Sequence, residues 1–502
     1  MRRLAGVARG GFALSPPGRD FACRSAFEKC CNALRVGQHF AHMAKIFLCA
    51  ILSLLALRAS ADGFTELFDE RAKCAVTVKF ILETEEERTQ VVLTGTLMND
   101  EGVVLLPPGE VPGVPSRCFK DFRVFVHDGD ADGYPAEFLG AENLVGFGFA
   151  RIKGPLPDCM VACSKFERAK FETGQFLWGV GIASEENSYL PYCLRSYVSL
   201  RNPAQIEVGN MGEPVGGVGC PVFDSKGRIV GCALSRERVE RLMILPDSNR
   251  LSVGLIGSNS AAIVSIADAD AALGRIPKDP DGDPYGWLGI VGIRFLKKDV
   301  SKFLGITDKF GLVISDIIKD SPARKAGLRK GDIIVGMNGK PLERLNSDND
   351  SREKFVMALR AAKPGEKISL SVIREAGGEE TVEVVMGESP RDSRKADFKY
   401  FRRLGFSVAE STMNDAIARR ILDGLPDFPI VRFVKPNSPA SSATPAPLSE
   451  GDVIREINSK PVKTYSEAVE MLSKINADEG VKEAVILAEG FRETKVVKIK
   501  LD

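Results

Sequence analysis

Between residues 70 and 270, apolar and polar positions alternate in short runs broken by Gly, Asp and Pro. Ala75–Leu82, Val91–Met98, Val103–Leu106, Arg123–Val126, Phe176–Ile182, Ser196–Leu200 and Pro221–Ala233 read as strands. Short strands at this spacing predict an all-β barrel or sandwich. The segment from Cys220 to Cys232 reads as a hairpin with its turn at Asp224–Gly227. The breaker-rich stretch Pro277-Lys-Asp-Pro-Asp-Gly-Asp-Pro284 then ends the domain.

Beyond it the pattern changes and repeats. Asp320-Ser321-Pro322-Ala323, Gly327, Gly331-Asp332-Ile-Ile-Val and Asn338-Gly-Lys-Pro341 return as Asn437-Ser438-Pro439-Ala440, Gly451-Asp452-Val-Ile and Asn458-Ser-Lys-Pro461. Ser321 is placed to cap a short helix, Pro322 suits its first position and Gly327 its left-handed exit. An amphipathic helix follows each copy, over Glu353–Ala362 and Tyr465–Ile475. Paired strands close each unit: Lys367–Arg374 with Thr381–Met386, and Ala484–Ala488 with Thr494–Leu501.

One apolar run stands apart. Met43-Ala44-Lys45, the stretch Ile46–Leu57 and the ending Ala59-Ser60-Ala61 form a secretory signal peptide. The run is short for a membrane span of ~20 residues, so the membrane is met only through this segment if it stays uncleaved. Residues 1–42 read as no domain, and Met43 is the expected start. Export makes a periplasmic or secreted location the expectation and permits disulfides. Cys74, Cys118, Cys159, Cys163, Cys193, Cys220 and Cys232 all lie between residues 62 and 240, and their pairing is not legible. The 502 residues are 44% apolar and 27% charged, an ordinary globular composition. That excludes a wholly disordered, collagen-like or polytopic membrane chain. A formal charge of +1 argues against a nucleic-acid partner. Without residues 1–61 the chain keeps 59 basic and 65 acidic side chains and one histidine, His127. Cys159-x-x-x-Cys163 lacks a second ligand pair, and no Gly-rich phosphate loop occurs, so no metal or cofactor is expected.

The two repeats resemble PDZ domains of the bacterial type, because turn, helix and strand recur in order. Each follows a Gly-containing loop, Gly286-Trp287-Leu288-Gly289-Ile290 in the first and Arg403-Leu404-Gly405-Phe406 in the second. The resemblance implies that loop amides meet a peptide's terminal carboxylate while the peptide adds as a strand. Phe355 and Leu359, then Ala468 and Leu472, would line the pocket on the helix; the alternative is that they only fill the core.

A β-rich exported domain with two PDZ units resembles the HtrA/Deg family of trypsin-like serine proteases. Thr94–Leu106, Phe122–Val126, Gly174–Gly181 and Gly216–Gly231 carry the likeness. It implies a mainly β fold, a trypsin-like double β-barrel followed by two PDZ-like α+β domains. The expected boundaries are a leader over 1–61, a protease-like domain over 62–276, and PDZ-like domains over 283–390 and 396–502. Acyl transfer on this fold needs a hydroxyl, an imidazole and a carboxylate. The likeness puts Gly109, Gly146 and Val218 at those three positions. The expectation is therefore a chain that is not an enzyme, a pseudoprotease binding unfolded or C-terminal polypeptide segments in envelope quality control or modulating active proteases. The alternative is a serine-type endopeptidase or other hydrolase with a rebuilt site. Family likeness also implies a homo-trimer, or a mixed oligomer with an active paralogue, assembled through Phe64–Phe68.

Overall fold

The computed structural model describes residues 63–501 except 171, 202–205, 210–216, 235–239, 248–249, 258–259, 304, 307–308, 346–347, 375–377, 425 and 492. The leader over 1–61 and Met43 lie outside the described residues. The chain divides into Met1–Leu67 and Phe68–Asp502, and the architecture below belongs to the second. Among the described residues, no helix is long and apolar enough to cross a membrane.

Six strands close into a first barrel: β1 (Ala75–Glu83), β2 (Arg88–Leu97), β3 (Val103–Leu106), β4 (Phe119–Phe125), β5 (Tyr134–Ala141) and β6 (Gly148–Ile152), in the order β1-β2-β3-β6-β5-β4. Alternation along β1 sends Val76, Val78 and Phe80 into one core with Leu97, Val104 and Leu106. Phe80 stacks on Phe122 with ring centroids 4.3 Å apart, and Phe119 meets Phe138 edge-on at 5.2 Å. Truncating Phe122 to Ala would cost about 3–5 kcal/mol.

A second closed barrel is built from β7 (Phe176–Ile182), β8 (Pro191–Arg201), β9 (Ile206–Gly209), β10 (Pro221–Asp224), β11 (Ile229–Leu234) and β14 (Ser260–Ser265). A hairpin of β12 (Glu240–Asp247) and β13 (Arg250–Gly257) forms its own two-stranded sheet between β11 and β14. The β10–β11 turn falls where its residues place it. Gly227 donates to the Asp224 carbonyl at 3.0 Å, and the Asp224 carboxylate accepts from the Lys226 and Arg228 amides. Helix α1 (Ile266–Leu273) starts on Ser265, whose hydroxyl accepts from the Asp268 amide. The breaker-rich stretch after it is docked on the first barrel. Asn143 donates to the Asp283 carbonyl at 2.8 Å, and a Cβ on Gly140 would lie 2.4 Å from Pro277.

The first repeat contains β15 (Gly286–Trp287), β16 (Ile290–Phe295), α2 (Lys298–Phe303), β17 (Leu312–Ile317), α3 (Pro322–Lys325), β18 (Ile333–Met337), β19 (Lys340–Pro341), α4 (Asp348–Ala361), β20 (Lys367–Ile373), β21 (Glu379–Val385) and β22 (Gly387–Glu388). Its sheet runs β16-β17-β18-β20-β21, while β15 pairs with β22. Ser321 caps α3 by accepting from the Arg324 amide.

The second repeat contains β23 (Phe398–Phe401), β24 (Phe406–Glu410), α5 (Met413–Ala418), β25 (Pro429–Val434), β26 (Thr444–Pro445), β27 (Val453–Ile457), β28 (Lys460–Pro461), α6 (Tyr465–Ala477), β29 (Glu483–Glu489) and β30 (Thr494–Lys500). Thr464 and Glu467 form a capping box on α6. The same local devices serve both copies. Asn338 accepts from the Ser369 amide and Asn458 from the Val485 amide. Buried Asp332 and Asp452 accept from the amides of Arg329 and Ser449.

Candidate functional site

Three loops gather between the barrels around Pro107 and Pro108. The loop between β5 and β6 is wrapped on the buried carboxylate of Glu142, which accepts from the amides of Leu144, Val145, Gly146 and Phe147 at 2.9, 2.8, 2.7 and 3.3 Å. Arg275 from the end of α1 balances its charge at 3.2 Å. This wrapping leaves Gly146 at φ 90°, with an added Cβ 3.6 Å from Pro108. Next to Pro108, Gly109 turns at φ 79°. Opposite them Val218 is half-buried before Gly219. The Gly219 backbone is clamped: its amide donates to the Ala233 carbonyl at 2.8 Å, and its carbonyl accepts from the Thr96 hydroxyl at 2.9 Å. A Cβ there would sit 2.0 Å from the Thr94 carbonyl and 3.0 Å from Pro107. The sequence-mapped positions Gly109, Gly146 and Val218 are thus carried on loops that converge on one place.

The thiols under this cleft are poor nucleophiles. Cys74, Cys163, Cys220 and Cys232 are buried and unbridged. Burial raises all four, and neighbouring thiols add to it at Cys74, Cys163 and Cys220. Cys232 reaches about 11, held from rising further by the Thr96 hydroxyl. A thiol that stays protonated near neutral pH does not attack a carbonyl. His127 lies elsewhere, at the end of β4, with Nδ1 3.1 Å from the Ser188 carbonyl and Nε2 3.5 Å from Asp128. It lines a cavity of about 410 Å³ with Cys159, Ile182 and Tyr189. Among the described residues, no three potential ligands gather to hold a metal ion.

The two Gly-containing loops have one geometry. Gly289 and Gly405 sit at φ 82° and 81°, and a Cβ on either would lie 2.2 Å from the Cβ of Ser321 or Ser438. Only glycine satisfies both conditions. Leu288, Phe355 and Leu359 share one core, and Leu404, Phe406, Ala468 and Leu472 share another. Trp287 and Ile290 remain half-buried. The pocket-helix residues therefore belong to the core of each repeat, and Ile290 and Ile293 of β16 pack against the first of these cores. The edges differ: β16 pairs only with β17 among the described strands, whereas β24 has β23 on its outer side. Sequence reasoning missed both Glu142 and β23. The one signal for β23 was the aromatic-rich run Phe398-Lys-Tyr-Phe401 at the start of the second repeat.

The family model of the PDZ domain matches residues 289–385. A probable periplasmic serine endoprotease, DegP-like, of Pseudomonas fulva is 28% identical over 310 residues, which is 59% of this chain and 55% of that protein. A protein of the same description from Ectopseudomonas mendocina is 26% identical over 381 residues, 70% of each chain. The chain is similar to these DegP-like proteins. The chain spans 55% and 70% of the length of these two relatives. Among solved structures, "HtrA-type protease AlgWS227A with tripeptide" matches over 65% of this chain and 97% of its own, at 17% identity and a TM-score of 0.48.

The expectation that the chain is not an enzyme is overturned here, because relatives aligned over up to 70% of it are named serine endoproteases. That expectation rested on the residue types at three mapped positions. A catalytic group is defined by where its reacting atom sits, and loops of different length carry such atoms to one place from different chain positions.

Proposed function

We propose that the chain works in the periplasm as a DegP-like endopeptidase that holds extended or C-terminal polypeptide segments in a PDZ groove beside its double barrel. The observation that carries the binding half is the edge of β16. It follows a loop of the required left-handed glycine geometry, packs Ile290 and Ile293 against the core that holds Phe355 and Leu359, and has no strand on its outer side among the described residues. Main-chain pairing along that edge supplies affinity, and the groove selects side chains. The hydrolytic half is supported by the relatives' names. Gly109, Gly146 and Val218 bring no proton-moving side chain, so hydrolysis draws on other groups in the cleft. The leader pattern Met43–Ala61 supports export.

The test uses the full chain with fluorescent casein and a fluorophosphonate probe, then mapping of the labelled residue. Cleavage with a label on a cleft hydroxyl is expected. Intact chain with neither cleavage nor label would overturn the hydrolytic half. For binding, a C-terminal peptide library read by hydrogen exchange should protect β16; a library with no selected sequence would overturn that half.

A further inference from the structure

The groove of the second repeat already holds a strand of this chain. β23 packs against both β24 and α6. It runs antiparallel to β24 with Phe398 opposite Ala409, Lys399 opposite Val408, Tyr400 opposite Ser407 and Phe401 opposite Phe406. A peptide added to a PDZ edge takes this place, with its last residue beside the loop. Phe401 is that last residue. Its carbonyl accepts from the Gly405 amide at 2.7 Å, so a loop donor that would meet a terminal carboxylate meets the Phe401 carbonyl instead.

Alternate side chains point to the helix, as a ligand's would. Phe401 is 1% exposed among Leu404, Phe406, Ala468 and Leu472, with its ring 6.0 Å from that of Phe406. Two residues back, the Lys399 ammonium donates to the Ser473 hydroxyl on α6 at 3.1 Å. Phe398 and Tyr400 take the other face, beside Arg432 and Phe433. In the first repeat the segment before the loop goes to β22, leaving β16 without such an occupant.

We infer that Phe398–Phe401 is an in-chain ligand of the second groove, and that this groove selects a bulky aromatic at the last position and a basic residue two before it. The inference rests on the peptide-groove reading proposed above. The strand is also tied to the first barrel: Arg117 pairs with Asp397 at 3.0 Å, and the Tyr400 amide donates to Glu85 at 2.7 Å. A tethered ligand acts at high effective concentration. A free peptide therefore binds with an affinity lowered by the fraction of time β23 is out.

The experiment titrates the full chain with a labelled pentapeptide copying residues 397–401, Asp-Phe-Lys-Tyr-Phe with a free carboxylate. Controls end in Glu-Tyr-Phe or Lys-Tyr-Ala. Phe401→Ala is expected to bind the copy at least tenfold more tightly than the unsubstituted chain, with exchange protection at 406–410 and 465–477. The controls should bind at least fivefold more weakly. Lys399→Glu, which leaves the buried ring in place, should show about a threefold gain and serves if Phe401→Ala loses its circular dichroism. No gain in a folded variant, or protection confined to β16, would overturn the inference. Protection at β16 alone leaves the proposed peptide binding standing, whereas no binding at either edge overturns that as well.

Discussion

Glu142 offers the sharpest test of how the cleft is built. Its carboxylate holds four backbone amides, one of them that of wholly buried Phe147, and the Arg275 guanidinium. In Glu142→Ala the Phe147 amide loses its acceptor where water does not reach, which costs about 1–3 kcal/mol. The other three amides are half-buried and recover part of their bonding from water, and Arg275 loses its counter-charge. The total is about 3–5 kcal/mol. Glu142→Gln keeps one carbonyl oxygen for the three amides now on Oε1, and should lose about half as much. Because the chain has several folding units, one melting temperature does not isolate this loss. Urea-dependent hydrogen exchange of fragments spanning 134–152 does, read against fragments of the second repeat. A loss below about 1 kcal/mol in Glu142→Ala, or equal losses in the two variants, would refute the reasoning.

Other expectations follow from the same geometry. Of the seven cysteines beyond the leader, half-buried Cys159 and Cys193 should be alkylated first at pH 8, and buried Cys74, Cys118, Cys163, Cys220 and Cys232 only after unfolding; mass mapping of the labels checks this. Burial, then the charges of Asp397, Glu410 and Glu85, push the Tyr465 phenol up to about 12. The fold thus favours the protonated phenol. The stability it contributes is present below about pH 10 and lost as pH rises towards 12, so Tyr465→Phe should flatten the alkaline loss seen by unfolding at pH 9 and 11. Gly289→Ala forces a side chain into a left-handed turn 2.2 Å from Ser321. It should cost about 2–4 kcal/mol and abolish peptide protection of β16, while an Ala at the open Gly365 turn should leave that protection intact.

Much of the architecture is legible where the signal is short-range. The Ser321-Pro322 cap and the Asp224–Gly227 turn each bond within a few residues, so their spacing predicts local devices that the structure contains. The strand pattern is read less completely. β6 is hidden in Gly146-Phe-Gly-Phe-Ala, because a strand buried on both faces loses its alternation, and β9, β12, β13 and β14 were not read as separate runs.

What the residue pattern determined alone is the class and the order: a β-rich domain, then two copies of one α+β unit. Closure of each six-stranded barrel, convergence of Gly109, Gly146 and Val218 around Pro107–Pro108, and the seating of Phe398–Phe401 against β24 were decided only in three dimensions. The physical reason is that a strand's own alternation says which face is buried but not which strand lies beside it. A carboxylate such as Glu142 gives no hint along the chain of the four amides that fold onto it. Pairing across tens of residues is set by the balance of all competing edges, and only the folded chain resolves it.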